Sequence, residues 1–350
     1  MIDVLLINPG SSNKVYQDLS KTYSAIEPPT WSLLLAKSCQ SQNFKPEIMD
    51  CNAEKLTNDQ ILDRIETLNP RLISFVVYGQ NVNAGTTSMK GAIDIANFLK
   101  SKTNRLISFI GSHVQALPIE TLKKEKSIDF VFTNEGVYSL WNILKLNEIT
   151  LKNLTNIKGI ALRNDEGKIV FNKPEIVVPN DKMDEHLPGY AWELLPYKDK
   201  PFDLYRSPMW HAEYLDENRS PYAAIQTSLG CQFKCSFCMI NIINRNDNEE
   251  IGVANTYSNM RHWSPQFIIK EFDKLISYGV KTIKITDEMF LLNPKYYIPL
   301  CEQLAERNKD DSLRIWSYSR IDTVKRPEIL KLVRSAGIKW LALGIESSGL

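Results

Sequence analysis

A charge imbalance is the first thing missing. The 350 residues carry 42 Lys and Arg against 41 Asp and Glu, a net charge of +1. That balance removes the electrostatic reason to expect nucleic acid or an anionic membrane as partner. The opening residues, Met1 to Gly10, lack a basic n-region and a small-residue cleavage site, so nothing there reads as a secretion signal. No apolar run exceeds the length of a buried strand, so no membrane span is expected. A cytoplasmic location follows as the expectation. Internal repeats and low-complexity tracts are also missing. No Gly-x-Gly-x-x-Gly follows the first apolar strand, so a dinucleotide site is not indicated. The six cysteines, at 39, 51, 231, 235, 238 and 301, do not form a disulfide pattern. Without a secretion signal, three thiols grouped within so few residues point to metal binding instead. Cys39 and Cys301 fall in apolar helical patterns and Cys51 just after a strand, as small buried or half-buried thiols do.

What is present is ordinary globular composition, 43% hydrophobic and 24% charged, in a chain long enough for two cores. Residues 1–147 alternate strand-like runs (3–7, 46–50, 72–78, 106–111, 128–133) with helical patterns (31–41, 58–68, 88–100, 119–124, 137–146). Apolar strands separated by crossover helices predict an α/β domain, a doubly wound, flavodoxin-like parallel sheet covered on both faces. Ligands of such sheets sit beyond the C-terminal strand ends. Four turns fall there: Asn8-Pro-Gly-Ser-Ser12, Tyr78-Gly-Gln-Asn81, Gly111-Ser-His-Val114 and Asn134-Glu-Gly136. Small, glycine-rich turns let backbone approach a flat or phosphate-bearing ligand; the alternative is that they merely connect.

Residues 148–215 change character. Runs 158–163 and 168–171 flank Asn164-Asp-Glu-Gly167, a hairpin signal, and prolines then recur among aromatics as in an ordered strap. It packs over a surface or walls a cavity. From 216 to 350 a second β/α series runs through strands 223–228, 282–286, 314–319 and 340–345. Four strands cannot close a barrel, so a partial (β/α) barrel is expected, with the natural protein longer or this chain a fragment of it.

Between the first two of those strands lies Gly230-Cys-Gln-Phe-Lys-Cys-Ser-Phe-Cys238, with its thiols spaced C-x3-C-x2-C. Three thiolates on one loop suit a [4Fe–4S] cluster with one iron left open, whereas ferredoxin sites supply four. Zinc is the competing ion. It wants a fourth ligand from a paired knuckle, and neither His262 nor the helical Cys301 offers one.

The loop resembles the radical S-adenosylmethionine (SAM) superfamily signature, including Phe237 before the last cysteine, which the resemblance places against the SAM adenine. It implies that Cys231, Cys235 and Cys238 hold a cluster that cleaves SAM to a 5′-deoxyadenosyl radical. Ile285-Thr-Asp-Glu-Met-Phe290 resembles the second-strand motif whose acidic groups meet the SAM ammonium, with Asp287 and Glu288 as the two candidates. By the same resemblance Arg320 faces the SAM carboxylate and Glu346 the ribose hydroxyls. The first 200 or so residues resemble the cobalamin-binding subgroup, through Pro28–Ala36, Val77-Tyr-Gly79, Gly111–Pro118, Asn134-Glu-Gly136, Ile157-Lys-Gly159 and Trp192–Pro196. This implies bound cobalamin near Tyr78, Gly79, Gly111, His113, Glu135 and Gly136. The cobalt-ligating Asp-x-His-x-x-Gly of other cobalamin proteins is absent, which leaves the lower axial position undefined. The subgroup's usual reaction implies methylation of an unactivated carbon of a small molecule, with a one-electron reductant such as flavodoxin or ferredoxin as partner. Relatives also cyclise and rearrange. Other readings are a methylthiotransferase, for which Cys39 and Cys51 are badly spaced as second-cluster ligands, a radical SAM enzyme without cobalamin, and a non-catalytic iron–sulfur electron-transfer module.

Overall fold

The computed structural model describes all residues except 11–17, 79–84, 234, 236, 237, 241–259 and 346–350, and omits the side chains of residues 20 and 21. The chain divides into two compact units. One holds Met1–Asp18, Trp31–Pro196 and Gln232–Asn259; the other holds Leu19–Thr30, Tyr197–Cys231 and Met260–Leu350.

The first unit is built on a seven-stranded sheet of order β2-β1-β3-β4-β5-β6-β7. The strands are β1 (Ile2–Asn8), β2 (Pro46–Asp50), β3 (Pro70–Val76), β4 (Ile107–Ile110), β5 (Phe130–Phe132), β6 (Ile160–Arg163) and β7 (Ile169–Phe171). The first five run parallel; β6 and β7 are antiparallel. Val4 to Ile7 are completely buried on β1, as apolar runs are when both faces of a parallel sheet are covered. Leu5, Ile7, Phe75, Phe109, Ile61, Ile65, Ala96 and Leu99 share this core, with the Phe75 and Phe109 ring centroids 4.9 Å apart.

Helix Asn58–Leu68 starts where expected because Thr57 and Gln60 form a reciprocal capping box, and it ends at Asn69 in the left-handed region. Ile61 and Ile65, four residues apart, put its apolar stripe into the core. Each contributes about 2 kcal/mol of burial. The helix expected from residue 88 begins instead at Gly85 and runs to Lys102. Gly and Thr are poor helix formers, so propensity hid its first turn. The hairpin expected in the connecting stretch pairs onto the sheet edge, because Ile160, Ala161 and Leu162 are fully buried beside β5. Farther along, Tyr190 and Trp192 stack at 4.6 Å and lie buried, and Ala191 donates its N–H to Leu33 O at 3.2 Å. Tyr190, Ala191 and Trp192 thus pack into the first unit.

The second unit contains a four-stranded parallel sheet of order β13-β12-β11-β8, made of β8 (Tyr222–Ile225), β11 (Thr282–Ile285), β12 (Arg314–Arg320) and β13 (Ile338–Gly344). Helices Pro265–Ser277, Pro294–Arg307 and Pro327–Ser335 alternate with the strands, each with proline in its first turn, where the missing N–H costs nothing. One register row carries Ala224, Lys284, Trp316 and Trp340. Lys284 is completely buried, pairs with Glu27 at 2.9 Å, and lies 5.0 Å from the Trp316 ring centroid and 5.6 Å from that of Tyr318. Segment Leu19–Thr30 is held in this unit by that pair, by the Ile26–Arg206 bridge, and by Arg219 donating to Thr22 O and Ser24 O. A two-residue antiparallel ladder joins β9 (Ser228–Leu229) to β10 (Arg261–His262). Among the described residues no helix is long and apolar enough to cross a membrane. The whole is a mixed α/β fold with parallel sheets.

Candidate active site

The cysteine segment leaves the second unit's sheet at a pinned stem. β8 ends at Ile225, and Thr286 continues the β11 pairing by donating its N–H to Ile225 O at 2.8 Å. The next residue, Asp287, is 1% exposed. One carboxylate oxygen accepts the Thr227 N–H; the other accepts the Thr227 and Ser228 hydroxyls, all three at 2.6 Å. Tyr296 donates its hydroxyl to Thr227 O at 2.8 Å, and its ring lies 4.4 Å from that of His262. Ser228 pairs with His262 and Leu229 with Arg261. Burial pushes Asp287 above the usual carboxylate range although its hydrogen bonds pull it down.

Glu288, beside it, is half-buried and makes no hydrogen bond or ion pair among the described residues. Burial and the neighbouring Asp287 charge raise it to about 7, against the opposing pull of Lys284. Arg320, at the end of β12, pairs with Asp322 at 2.9 Å. Of the cysteines, Cys231 is buried and Cys235 and Cys238 are half-buried, and Cys238 N–H donates to Cys235 O at 3.0 Å. Among the described residues no disulfide links the six cysteines, and no group of three His, Cys, Asp or Glu side chains is gathered to hold a metal ion. Phe237, Gly79 and Glu346 lie outside the described residues. Burial drives the Cys39 and Cys51 thiols far up and Cys301 to about 12, so all three are inert at neutral pH.

In the first unit the turns beyond the parallel strands are bound to one another. Gln115 donates to the Tyr78 hydroxyl at 2.9 Å and to Asn134 O at 2.6 Å, and the Trp31 and Tyr78 rings are 5.8 Å apart. Trp31 also donates its indole N–H to Glu135 O at 3.2 Å. His113 Nδ1 lies 3.0 Å from Thr86 Oγ1, and burial with the nearby Lys124 charge holds this imidazole below its usual range. Glu135 is turned to a structural task, since its carboxylate accepts the Val178 N–H at 2.5 Å. Gly136 adopts φ +86° and donates its N–H to Asn134 Oδ1. Gly111 sits so close to β3 that a methyl group there would meet Val77 O at 2.0 Å. Ser112 Oγ and Gln115 Oε1 are buried without hydrogen-bond partners among the described residues.

Residues 225–349, the stretch that contains the stem, the cysteines and the β11 carboxylates, match the radical SAM superfamily. This stretch is a radical SAM domain. Across both units the chain is 21% identical over 327 residues to an anaerobic magnesium-protoporphyrin IX monomethyl ester cyclase of Cereibacter sphaeroides, covering 92% of this chain and 47% of the cyclase. It is 24% identical over 351 residues to an uncharacterized methyltransferase of Pyrococcus horikoshii, covering 99% of this chain and 66% of the relative. Its fold superposes with a TM-score of 0.66 on TsrM, a radical SAM methyltransferase of Kitasatospora setae solved with cobalamin and a [4Fe–4S] cluster. That match is 16% identical and covers 98% of this chain and 58% of TsrM. This chain thus spans about half to two thirds of the length of these relatives.

The residues present fit the groups that radical SAM chemistry needs. The donor set of the radical SAM domain is three thiols within eight consecutive residues, with no fourth cysteine near them in sequence, which suits a cluster that leaves an iron open. In the first unit the orphaned Ser112 and Gln115 oxygens lie at the C-terminal end of a parallel sheet, where a polar ligand would satisfy them. Sequence reasoning missed Thr227, Ser228 and Tyr296. Asp287, which Thr227 and Ser228 bond, is about sixty residues from them, and Tyr296, which bonds Thr227 O, is farther still, so no local pattern links these positions.

Proposed function

We propose that this chain is the core of a cobalamin-dependent radical SAM enzyme, a doubly wound, flavodoxin-like cobalamin-binding half joined through a strap to a partial radical SAM barrel. The radical SAM match over 225–349 carries the reading, because it falls on the one stretch whose three thiols suit an open-iron cluster. Sheet order 2-1-3-4-5 in the first unit supports the flavodoxin-like half. The fold likeness to TsrM, which was solved with cobalamin and a [4Fe–4S] cluster, extends over 98% of this chain and supports cobalamin alongside SAM.

In this reading Cys231, Cys235 and Cys238 hold the cluster. When bound, the cofactors supply an electron that cleaves SAM to a 5′-deoxyadenosyl radical and a cobalt that carries a methyl group. The chain binds and orients them and excludes water. Asp287 or Glu288, with Arg320, Phe237 and Glu346, are the residues assigned to SAM; Tyr78, Gly79, Gly111, His113, Glu135 and Gly136 are those assigned to cobalamin. Methylation of an unactivated carbon of a small molecule is the favoured reaction, with a one-electron protein reductant as partner. Radical cyclisation is the second reading, favoured by the cyclase relative. Anaerobic reconstitution with iron, sulfide and hydroxocobalamin tests this. About four irons and one cobalt per chain are expected; iron without cobalt removes cobalamin, and zinc in place of iron removes the whole assignment.

A further inference from the structure

The sequence motif presents Asp287 and Glu288 as a pair facing one ligand, but the structure gives them different surroundings. Asp287 is almost completely buried and both its oxygens are engaged by Thr227 and Ser228. Hydroxyl and amide donors to a carboxylate are the strong, short kind of hydrogen bond. Thr227 directly precedes the two-residue strand that leads into the cysteine segment, and Ser228 opens it. The same stretch is held from a second side by Tyr296 and from a third by the return strand, Ser228 against His262. Among the described residues Glu288 has no such bonds, and it is partly open.

We propose that Asp287 is a positioning residue that clamps the stem of the cysteine loop, leaving Glu288 as the carboxylate that meets the amino group of bound SAM. The assignment rests on the radical SAM reading above for its ligand, and on geometry alone for the clamp. The bond that Thr227 N–H donates to Asp287 fixes the direction in which the chain departs toward Cys231, four residues on. Loss of the carboxylate frees three donors in a buried place and lets that departure wander. Neutralising Glu288 leaves the stem intact.

The test has two arms on the anaerobically purified chain. Hydrogen–deuterium exchange of the Thr227–Leu229 amides needs no cofactor. Exchange there accelerates by about tenfold or more in Asp287→Ala, recovers in Asp287→Asn, whose amide oxygen still accepts from Thr227 N–H, and is unchanged in Glu288→Gln. Should Asp287→Ala fail to fold, Thr227→Val with Ser228→Ala removes only the hydroxyl donors and shows the same acceleration to a smaller degree. The second arm reads iron per chain after reconstitution and the electron paramagnetic resonance signal of the reduced cluster before and after SAM. Asp287→Ala loses iron while keeping its melting temperature within a few degrees. Asp287→Asn keeps both iron and the SAM-induced spectral change. Glu288→Gln keeps iron and loses the SAM-induced change. The proposal is overturned if Asp287→Ala leaves the stem amides protected, or if Asp287→Asn keeps iron but loses the response to SAM while Glu288→Gln does not. A wild-type chain that takes up no iron sinks the radical SAM reading, and the exchange arm then still decides the clamp.

Discussion

Replacing Gly111 by alanine puts the architecture of the first unit's strand ends to a severe test. Gly111 follows β4 with φ +153° and ψ 169°, a region open to glycine and essentially closed to other residues. An added Cβ would lie 2.0 Å from Val77 O and 2.7 Å from Val77 C, both backbone atoms. Val77 cannot retreat cheaply, because its N–H donates to Ile110 O at 2.7 Å and ties β3 to β4 at that point. Backbone strain of about 1–3 kcal/mol and overpacking of similar size sum to about 2–6 kcal/mol. Gly167 is the control. It also has positive φ, +77°, but a methyl group there meets nothing within 4 Å, so its replacement by alanine costs about 1 kcal/mol from the left-handed backbone alone. Urea denaturation of the two variants, followed by circular dichroism and compared at their midpoints, measures the difference. A Gly111→Ala chain no less stable than Gly167→Ala would refute the close approach of β4 to Val77. Under the proposed function the same variant retains less cobalt after reconstitution, since its turn carries His113 and Gln115.

Other tests are simpler. Glu288, raised to about 7, holds its proton more tightly folded than unfolded. Its contribution to stability is therefore present below about pH 4.5 and is lost as pH rises through 7, for up to about 3 kcal/mol. Urea midpoints at pH 5 and pH 8 should draw together in Glu288→Gln, and a wild-type pH slope retained by that variant counts against a glutamate that holds its proton in the folded state. Breaking the Glu27–Lys284 pair from one side leaves a buried charge uncompensated. Glu27→Gln should cost about 3–5 kcal/mol and Glu27→Gln with Lys284→Met much less than the sum of the single changes. Additive costs in that double-mutant cycle would show that the two side chains do not interact. Alanine at Cys231, Cys235 or Cys238 should each drop iron after reconstitution from about four per chain to a small fraction, while Cys301→Ala should not.

The strands of both sheets were legible because runs such as Val4–Ile7 and Tyr222–Ile225 are apolar enough to mark themselves. Helix Asn58–Leu68 was legible from its capping box. What stayed hidden depends on partners distant in the chain. Hairpin β6–β7 reads as an independent unit until Ile160 and Leu162 are seen to need the flank of β5. Glu27 sits in a proline-rich stretch that gives no hint of Lys284, more than 250 residues on, and burial of a lysine is too rare to expect from a strand pattern.

The cysteine triplet was legible for the opposite reason, since its chemistry is packed into eight consecutive residues. The carboxylate pair lies between these cases. Asp287 and Glu288 look equivalent as a motif, but successive residues of an extended chain point to opposite sides. Along β11 the completely buried Ile283 and Ile285 alternate with Lys284, which faces Glu27 and the Trp316 ring. Pairing continues through Thr286, so if the alternation persists past it, Asp287 falls with the isoleucines and Glu288 with the lysine. The observed burial of Asp287 and the pull of Lys284 on Glu288 agree with that parity. Counting residues from the strand, a step open to sequence reasoning, separates a carboxylate that holds the protein from one that can face a ligand.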